Sequence, residues 1–291
     1  MILGVTPTVD YAFKHVFGRE STVPILISVL DSVLAPAPAH RLRDLTLLNP
    51  FNPKEALDDK LSILDIKARD QSGRQFNIEM QMLAYRYYEK RILYYAAKFH
   101  QQQLHEGEDY LQLQPTISIS FLDHVLFPKV TDYHLCFRLL EERQHFPFTG
   151  DMEFHILELP KFTKSAHELT TELDIWLYFL RHADKMDTDA LPAVLAQHPL
   201  AQRAVEELKM LAQTDLDRER YEARRKAQLD YNTGLKVARL EGREEGLEQG
   251  LEQGLEQGLV QGLEQGLEQG RAAEKIHTIH LLERLLRRPE T

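Results

Sequence analysis

Residues 61–81 read LSILDIKARDQSGRQFNIEMQ. Two runs of alternating apolar and polar residues flank the segment 71–73, Gln-Ser-Gly, a composition typical of a β-hairpin loop that ends in a left-handed glycine. Asp65 and Glu79 lie in the middle of these runs, at positions where a purely structural strand favours valine or isoleucine. The stretch therefore predicts a hairpin with two acidic residues that need a physical explanation.

The length of the hairpin loop decides whether the two acids share a face. A three-residue loop places Lys67 opposite Asn77 and Asp65 opposite Glu79, with directly opposed Cβ atoms about 4.5–5.5 Å apart. Gln81 then projects from the same face as Glu79, because side chains alternate across a strand. A two-residue loop shifts the pairing of the strands by one residue, so the side chains of Asp65 and Glu79 project from opposite faces of the sheet.

Two interpretations of this polar face remain open. Polar residues commonly alternate along the solvent-facing side of an antiparallel sheet, and the face then has no special role. Alternatively, the two neighbouring carboxylates, which repel each other, share a divalent cation. Mg²⁺ takes oxygen ligands of this kind, and such an ion supports hydrolysis of phosphodiesters.

Three segments together resemble one family of nucleases. They are PTVDYAFKHVFG at 7–18, DDKLSILDIKARDQSGRQFNIEMQ at 58–81, and the Gly-Leu-Glu-Gln repeats near the C-terminus. The combination resembles the Rpn family of recombination-promoting nucleases, which are also described as transposases, within the PD-(D/E)XK nuclease superfamily. The resemblance implies an α/β, restriction-endonuclease-like αβββαβ core with a mixed central sheet. It also implies a DNA endonuclease that depends on Mg²⁺ or Mn²⁺ and serves DNA recombination or mobile DNA.

The resemblance assigns roles to individual residues. Asp65 and Glu79 match the metal-binding acids, and Gln81 takes the position of the usual lysine, where it would orient a water molecule or a phosphate. Leu64 replaces the proline that precedes the first acid in the superfamily motif. Asp10 matches an accessory acid of the first helix, although a helix N-terminus also favours an acidic residue for its dipole alone.

Basic residues near the hairpin and in the following helix are candidates for contacts with phosphate. Lys67 is an accessory candidate that would partly replace the missing lysine of the motif. As charges on a solvated surface, these residues need no specific role. The candidates for binding DNA are Lys60, Arg69, Arg86 and Lys90. The histidines show no recognisable spacing for a zinc site, and the sequence contains no P-loop and no GxGxxG motif.

The composition is that of an ordinary globular protein, with 291 residues and a net charge of −10. Half of that charge comes from five glutamates in residues 247–270, so the remainder of the chain is compatible with a DNA partner. The single cysteine, Cys136, allows no internal disulfide. The chain has neither a secretory signal pattern nor an apolar run long enough to cross a bilayer, and we expect a cytoplasmic protein.

The order of predicted elements divides the chain into four parts. A nuclease domain at 1–200 contains two helices, a strand at 42–49, the hairpin, a helix at 83–105 and strands at 115–122 and near 151–160. A charged helical connector follows at 201–245. The repeat segment at 246–270 precedes a C-terminal helix at 271–291.

The repeat has glycine at every fourth position, and each glycine destabilises an isolated helix by roughly 1 kcal/mol relative to alanine. The segment is therefore either a loosely ordered tether or a helix that packing against another copy stabilises, and we expect a homo-oligomer such as a dimer. A non-enzymatic alternative is a catalytically decayed module that binds DNA or itself through the repeat. The sequence does not separate a DNA nuclease from an RNA nuclease.

Overall fold

The computed structural model describes residues 2–49, 66–84 and 86–286. The chain divides into two compact units, Met1–Leu229 and Asp230–Thr291. The first unit contains a six-stranded mixed sheet with helices packed on it, and the described part of the second unit is helical. This confirms a mixed α/β core that is followed by a helical C-terminal extension.

The strands form one sheet in the order β1-β2-β3-β4-β6-β5. β3 is parallel to β4 and β4 to β6, whereas the remaining neighbours are antiparallel. The central strands are β3 and β4, so their side chains are covered on both faces. The strands are β1 Leu45–Leu47, β2 Ile66–Asp70, β3 Gln75–Gln81, β4 Thr116–Leu122, β5 His134–Arg138 and β6 Met152–Glu158.

The strand β5 is not among the elements predicted from the sequence. It is an edge strand with its last three residues exposed, so it lacks the alternation of apolar and polar residues that marks a half-buried strand. Its position depends on antiparallel pairing with β6, in which Cys136 lies opposite His155. That partner is distant in the sequence and leaves no local signal.

The helices lie largely where the apolar periodicity predicts them. The third helix begins at Tyr88 and not near residue 83, because Tyr87 has a positive φ of 64° that no helical residue adopts. Thr171 and Asp174 form a reciprocal capping box at the start of the fourth helix. The helices are α1 Asp10–Phe17, α2 Val23–Leu34, α3 Tyr88–Gln101, α4 Glu172–His182, α5 Ala193–Ala196, α6 Pro199–Gln213 and α7 Asp215–Leu286.

The hairpin between β2 and β3 has the three-residue loop. Gly73 adopts a φ of +88°, and the Arg74 carbonyl accepts a 3.0 Å hydrogen bond from the Asp70 amide. The register pairs Lys67 with Asn77, as the loop length predicts. Two predicted site residues, Lys60 and Asp65, lie outside the described residues.

The two faces of the sheet differ in chemistry. One face carries buried apolar side chains, such as Phe76, Ile119 and Phe121, that belong to the main core together with residues of α1, α2, α4 and α6. Within that core the Trp176 indole donates a 3.0 Å hydrogen bond to the Ser28 hydroxyl. The opposite face of β3 and β4 is polar, and α3 packs on it through Tyr88 and Ile92.

The helix α7 continues through the glycine repeat to Leu286. Its repeat leucines are 56–70% exposed in the described chain. In the part of the chain that the structure describes, no helix combines the length and the apolar character that spanning a membrane requires. The leucines are Leu247, Leu251, Leu255, Leu259, Leu263 and Leu267.

Candidate active site

A buried row of polar side chains lies on the sheet face that α3 covers. The parallel register places Asn77 beside Ser118 and Glu79 beside Ser120, so these four side chains share one face. All four are at most 3% exposed. Burial of polar groups is unfavourable unless hydrogen bonds or ions compensate for the lost water. The row is therefore unlike a solvated sheet face, which was one of the two interpretations of the sequence.

Glu79 is the only acidic side chain that the described strand β3 contributes to this row. Its Oε1 accepts a 3.2 Å hydrogen bond from Asn77 Nδ2, and its Oε2 accepts one of 2.8 Å from the Tyr88 hydroxyl. Both donors are neutral, and among the described residues Glu79 forms no ion pair. Within the part of the chain that the structure describes, the carboxylate thus retains unused oxygen lone pairs and has no cationic side chain to offset a negative charge.

Tyr88 positions that carboxylate from the first residue of α3. Its side chain is fully buried and packs with Ile92, Leu122 and Ile156 in a small apolar cluster. From this packed position the hydroxyl donates its 2.8 Å hydrogen bond to Glu79. The helix therefore holds one of the two oxygens of the carboxylate in a defined orientation.

His124 lies beside Tyr88, with the two rings edge to face and their centroids 6.1 Å apart. Both ring nitrogens are buried and have no hydrogen-bond partner among the described residues. Burial lowers the pKa of the imidazole, and the nearby charge of Glu158 opposes this effect. His124 is thus an uncharged, available base or ligand at neutral pH, next to the residue that orients Glu79.

The chemistry of the row fits a hard divalent cation. The Ser118 and Ser120 hydroxyl oxygens and the Asn77 Oδ1 are buried without hydrogen-bond partners in the described part of the chain. Together with the Glu79 carboxylate they form a set of oxygen donors, the kind that Mg²⁺ and Mn²⁺ bind. Asp65, the other predicted metal ligand, lies outside the described residues.

Gln81 ends the polar row of β3 and is 8% exposed. Its side-chain Nε2 donates a 3.1 Å hydrogen bond to the Leu83 carbonyl, and its backbone carbonyl accepts one of 2.9 Å from the Asp123 backbone amide. The side-chain amide is therefore held at the end of the strand, two residues from Glu79 and on the same face. It brings no positive charge to the site.

A cavity of about 250 Å³ adjoins the other end of the row. Lys67 and Phe99 line this cavity, and the Lys67 ammonium lies 4.9 Å from the centre of the Phe99 ring. Asn77 of the polar row and Lys98 of α3 also line it. Two lysines beside a hydrogen-bonding amide form an environment that suits a phosphate group.

Arg86 and Lys90 lie at the exposed start of α3 and flank Tyr87. The Arg86 guanidinium is 5.1 Å and the Lys90 ammonium 5.0 Å from the centre of that ring. Tyr87 is 53% exposed, so its ring and both cations form a basic, aromatic surface. Tyr87 directly precedes Tyr88, the residue whose hydroxyl donates to Glu79.

The two remaining predicted site residues, Arg69 and Asp10, do not belong to the polar row. Arg69 is exposed on β2 opposite Gln75, at the hairpin end of the sheet. Asp10 begins α1, and its Oδ1 accepts a 2.7 Å hydrogen bond from the Tyr11 amide. That geometry agrees with an acid at a helix N-terminus, and the accessory role of Asp10 stays a prediction.

Sequence reasoning missed Tyr88, Ser118, Ser120 and His124 as members of the site. The periodicity of α3 assigns Tyr88 to the apolar core, where its ring does lie, but it does not reveal the direction of the hydroxyl. The alternation in TISISFL at 116–122 was a usable signal, because it predicts that both serines share one face. No local pattern indicates His124.

A family model described as a PD-(D/E)XK nuclease family transposase matches residues 7–238. The match covers the sheet, both of its faces and the start of α7. No curated protein and no solved structure shows significant similarity to the chain.

Proposed function

The chain belongs to the family of PD-(D/E)XK nuclease transposases, and on that premise we propose that it is a metal-dependent endonuclease that hydrolyses phosphodiester bonds of DNA. Nucleases of this superfamily generally use divalent metal ions. The proposed ion is Mg²⁺, with Mn²⁺ as its substitute. The proposed setting is DNA recombination or the movement of mobile DNA.

The observation that supports the proposal best is the environment of Glu79. The side chain is 3% exposed, its two hydrogen bonds come from neutral groups, and the adjacent serine hydroxyls have no partners among the described residues. A protein that needed only a stable sheet would gain by replacing this row with apolar residues. A cation that joins Glu79 explains both the buried charge and the unused oxygens.

The proposed roles follow from position. Glu79 and Asp65 hold the ion, and Tyr88 and Asn77 fix the orientation of the Glu79 carboxylate. Gln81 orients the attacking water or a phosphate oxygen from the end of β3. An ion held by Glu79 and Asp65 would lower the pKa of a water molecule and offset the charge that develops on the phosphate.

The surroundings of the row support a polyanionic substrate. Lys67 and Lys98 line one cavity together with Asn77, and Arg86 and Lys90 flank Tyr87, the residue before Tyr88. Lysine and arginine neutralise phosphates, and an exposed tyrosine offers a surface on which a base can stack. Lys60 and Arg69 are further proposed contacts on the basis of their positions in the sequence.

We also propose that the protein is a homo-oligomer, with a dimer as the simplest form. The helix α7 exposes leucines through the repeat although glycine recurs at every fourth position. A helix of this composition is weak in isolation, and packing against a second copy would compensate. The proposed role of α7 is assembly and not catalysis.

Plasmid cleavage tests the proposed activity directly. Wild type, Asp65→Ala and Glu79→Ala are compared in Mg²⁺, in Mn²⁺ and with EDTA, with electrophoretic mobility as a separate measure of DNA binding. We expect metal-dependent cleavage by the wild type alone, while all three proteins still bind DNA. A parallel assay with single-stranded RNA distinguishes the RNA nuclease.

The competing function is a non-enzymatic module that binds DNA or itself. The neutral Gln81 in place of a lysine favours it, whereas the buried carboxylate of Glu79 favours the enzyme. Equal inactivity of wild type and variants in both metals, with DNA binding or oligomerisation intact, would establish the module and reject the nuclease.

A further inference from the structure

Three side chains with metal-binding groups converge on the sheet face opposite the polar row. They are Cys136 of β5, and Glu153 and His155 of β6. The register places Cys136 directly opposite His155, and Glu153 is two residues earlier on the same face of β6. One ligand atom from each side chain lies within 4.8 Å of the other two.

The distances between these atoms are close to those of a metal site. The Cys136 Sγ is 3.7 Å from Oε1 of Glu153, and the His155 Nε2 is 2.6 Å from the same oxygen. Tetrahedral Zn²⁺ has ligand bonds of about 2.0–2.3 Å, which separates its ligand atoms by roughly 3.3–3.5 Å. The sulfur and the oxygen already fit this spacing, and the nitrogen and the oxygen need to move apart by roughly 0.7 Å.

We propose that Cys136, Glu153 and His155 bind one Zn²⁺ ion. A thiolate, an imidazole and a carboxylate form a donor set that suits Zn²⁺, whereas Mg²⁺ prefers oxygen ligands alone. Three protein ligands leave a fourth tetrahedral position for solvent. Cys136 is exposed, so the ion can enter and the solvent ligand has room.

Two neighbouring side chains already orient the ligands. The His134 Nε2 lies 2.9 Å from Nδ1 of His155, and the Arg138 Nε donates a 2.9 Å hydrogen bond to Oε2 of Glu153. Such partners commonly fix the tautomer and the direction of metal ligands. The Arg138 Nη2 also donates a 3.1 Å hydrogen bond to Oε1. Arg138 can keep Oε2 while this second bond gives way and Oε1, the oxygen nearest to Cys136 and His155, turns to the ion.

Binding of the ion requires protons to leave the ligand atoms of His155 and Cys136. In the structure the 2.6 Å contact between His155 Nε2 and the Glu153 carboxylate requires a proton on Nε2. When Nε2 binds the ion it releases this proton to solvent, Nδ1 receives the proton of the hydrogen bond with His134 Nε2, and His134 Nδ1 takes one up from solvent. The Cys136 thiol loses its proton to solvent as the sulfur–metal bond forms. The ring of His155 is 3% exposed, so its orientation toward Glu153 is set before any ion arrives.

This site is separate from the proposed nuclease site. His155 lies beside Ile119 of β4, whose side chain belongs to the apolar core, whereas Ser120 and Glu79 project from the opposite face. The expected effect of Zn²⁺ is structural, because it would fasten the edge strand β5 to β6. It does not depend on whether the polar row hydrolyses DNA.

Cobalt spectroscopy tests the proposal in the full-length protein. The protein is stripped with a chelator, dialysed and titrated with Co²⁺, which reports a tetrahedral thiolate site by its visible and near-ultraviolet absorption. We expect a thiolate–cobalt band whose final intensity corresponds to one thiolate-bound ion per chain, and we expect Zn²⁺ to bleach it. Cys136→Ser should remove the thiolate charge-transfer band, and His134→Ala should weaken binding by roughly 10–100-fold.

Controls separate this site from the other one and from misfolding. Glu79→Gln alters only the opposite face and should leave the cobalt spectrum unchanged. Cys136 is exposed, and a serine of similar size there should keep the native far-ultraviolet circular dichroism. Zn²⁺ should raise the Tm of the wild type but not of Cys136→Ser.

Two results would overturn the proposal. One is a natively folded wild type without a saturable thiolate–cobalt band. The other is the same band and the same Tm response in Cys136→Ser. Either result would mean that Arg138, Glu153, His155 and His134 form a hydrogen-bonded chain that needs no metal.

Discussion

The hydroxyl of Tyr88 donates a 2.8 Å hydrogen bond to Oε2 of Glu79 and so joins the start of α3 to the centre of the sheet. Tyr88 is 0% and Glu79 3% exposed, and the phenol ring packs in an apolar cluster. Since the ring has no freedom to follow a moving partner, the carboxylate is held where the helix places it. This contact makes α3 part of the proposed catalytic machinery.

Tyr88→Phe should weaken cleavage while it leaves the fold intact. The substitution keeps the packed ring but removes the donor that orients Glu79, and loss of such a supporting contact typically lowers metal affinity or activity by about 10–100-fold. Cleavage rates over a range of Mg²⁺ concentrations measure the effect. Tyr94→Phe, at a side chain that is 63% exposed, is the control. Equal activity of the two variants would show that Tyr88 only packs.

Glu79→Gln should stabilise the protein and abolish cleavage. The substitution removes a buried charge and keeps the volume, so we expect the free energy of unfolding in EDTA to rise by about 1 kcal/mol. Mg²⁺ should stabilise the wild type but not the variant, since only the wild type binds the ion. Urea unfolding with and without Mg²⁺ measures both effects. The exposed Glu89→Gln is the control, and a destabilised Glu79→Gln would contradict the idea of an uncompensated charge.

Gln81 occupies the position where the superfamily motif has a lysine, and substitutions there test whether the glutamine takes part in cleavage. Gln81→Ala removes the amide that we expect to orient water or phosphate and should lower the cleavage rate by roughly 10-fold. Gln81→Lys places an ammonium group two residues from Glu79, restores the usual residue and should retain cleavage. Single-turnover rates at saturating Mg²⁺ compare the variants. Unchanged cleavage by Gln81→Ala would remove the position from the catalytic set.

Lys67 and Arg86 should bind phosphates of the substrate. If each neutralises a phosphate, Lys67→Ala and Arg86→Ala each reduce the slope of log affinity against log salt concentration by about 1. Fluorescence anisotropy with labelled DNA at several salt concentrations measures the slope. Arg143→Ala, at an exposed residue after β5, is a matched loss of one charge. An equal decrease of this slope in all three variants would indicate only the effect of removing one positive charge.

The leucines of the repeat should mediate assembly. Replacement of Leu251, Leu255 and Leu259 by lysine puts charges on the face that we expect a second copy to cover, and the mass from light scattering should fall to that of a monomer. The same number of lysines at Gln249, Gln253 and Gln257 controls for charge. If the dimer persists when the three leucines are replaced, the leucine face is not the interface. The same conclusion follows if the leucine and the glutamine replacements dissociate the dimer equally.

The sequence by itself determined the elements whose signals are local. The alternation in residues 74–82 and the turn with Gly73 predicted the hairpin and the pairing of Lys67 with Asn77, which the register confirms. Loop length fixes register because each residue added to a hairpin loop turns the following side chains to the other face. The family likewise followed from three segments that are each continuous in the chain.

Only the tertiary structure determined which side chains from distant segments contact each other on the sheet. Tyr88 reaches Glu79 because the backbone turns at Tyr87 before α3 begins, and the periodicity of the helix does not reveal that turn. Cys136 meets His155 because β5 pairs with β6 at the edge of the sheet, although its own residues lack a strand pattern. Contacts of this kind depend on the packing of distant segments, whereas periodicity and turn chemistry report only neighbours in the chain.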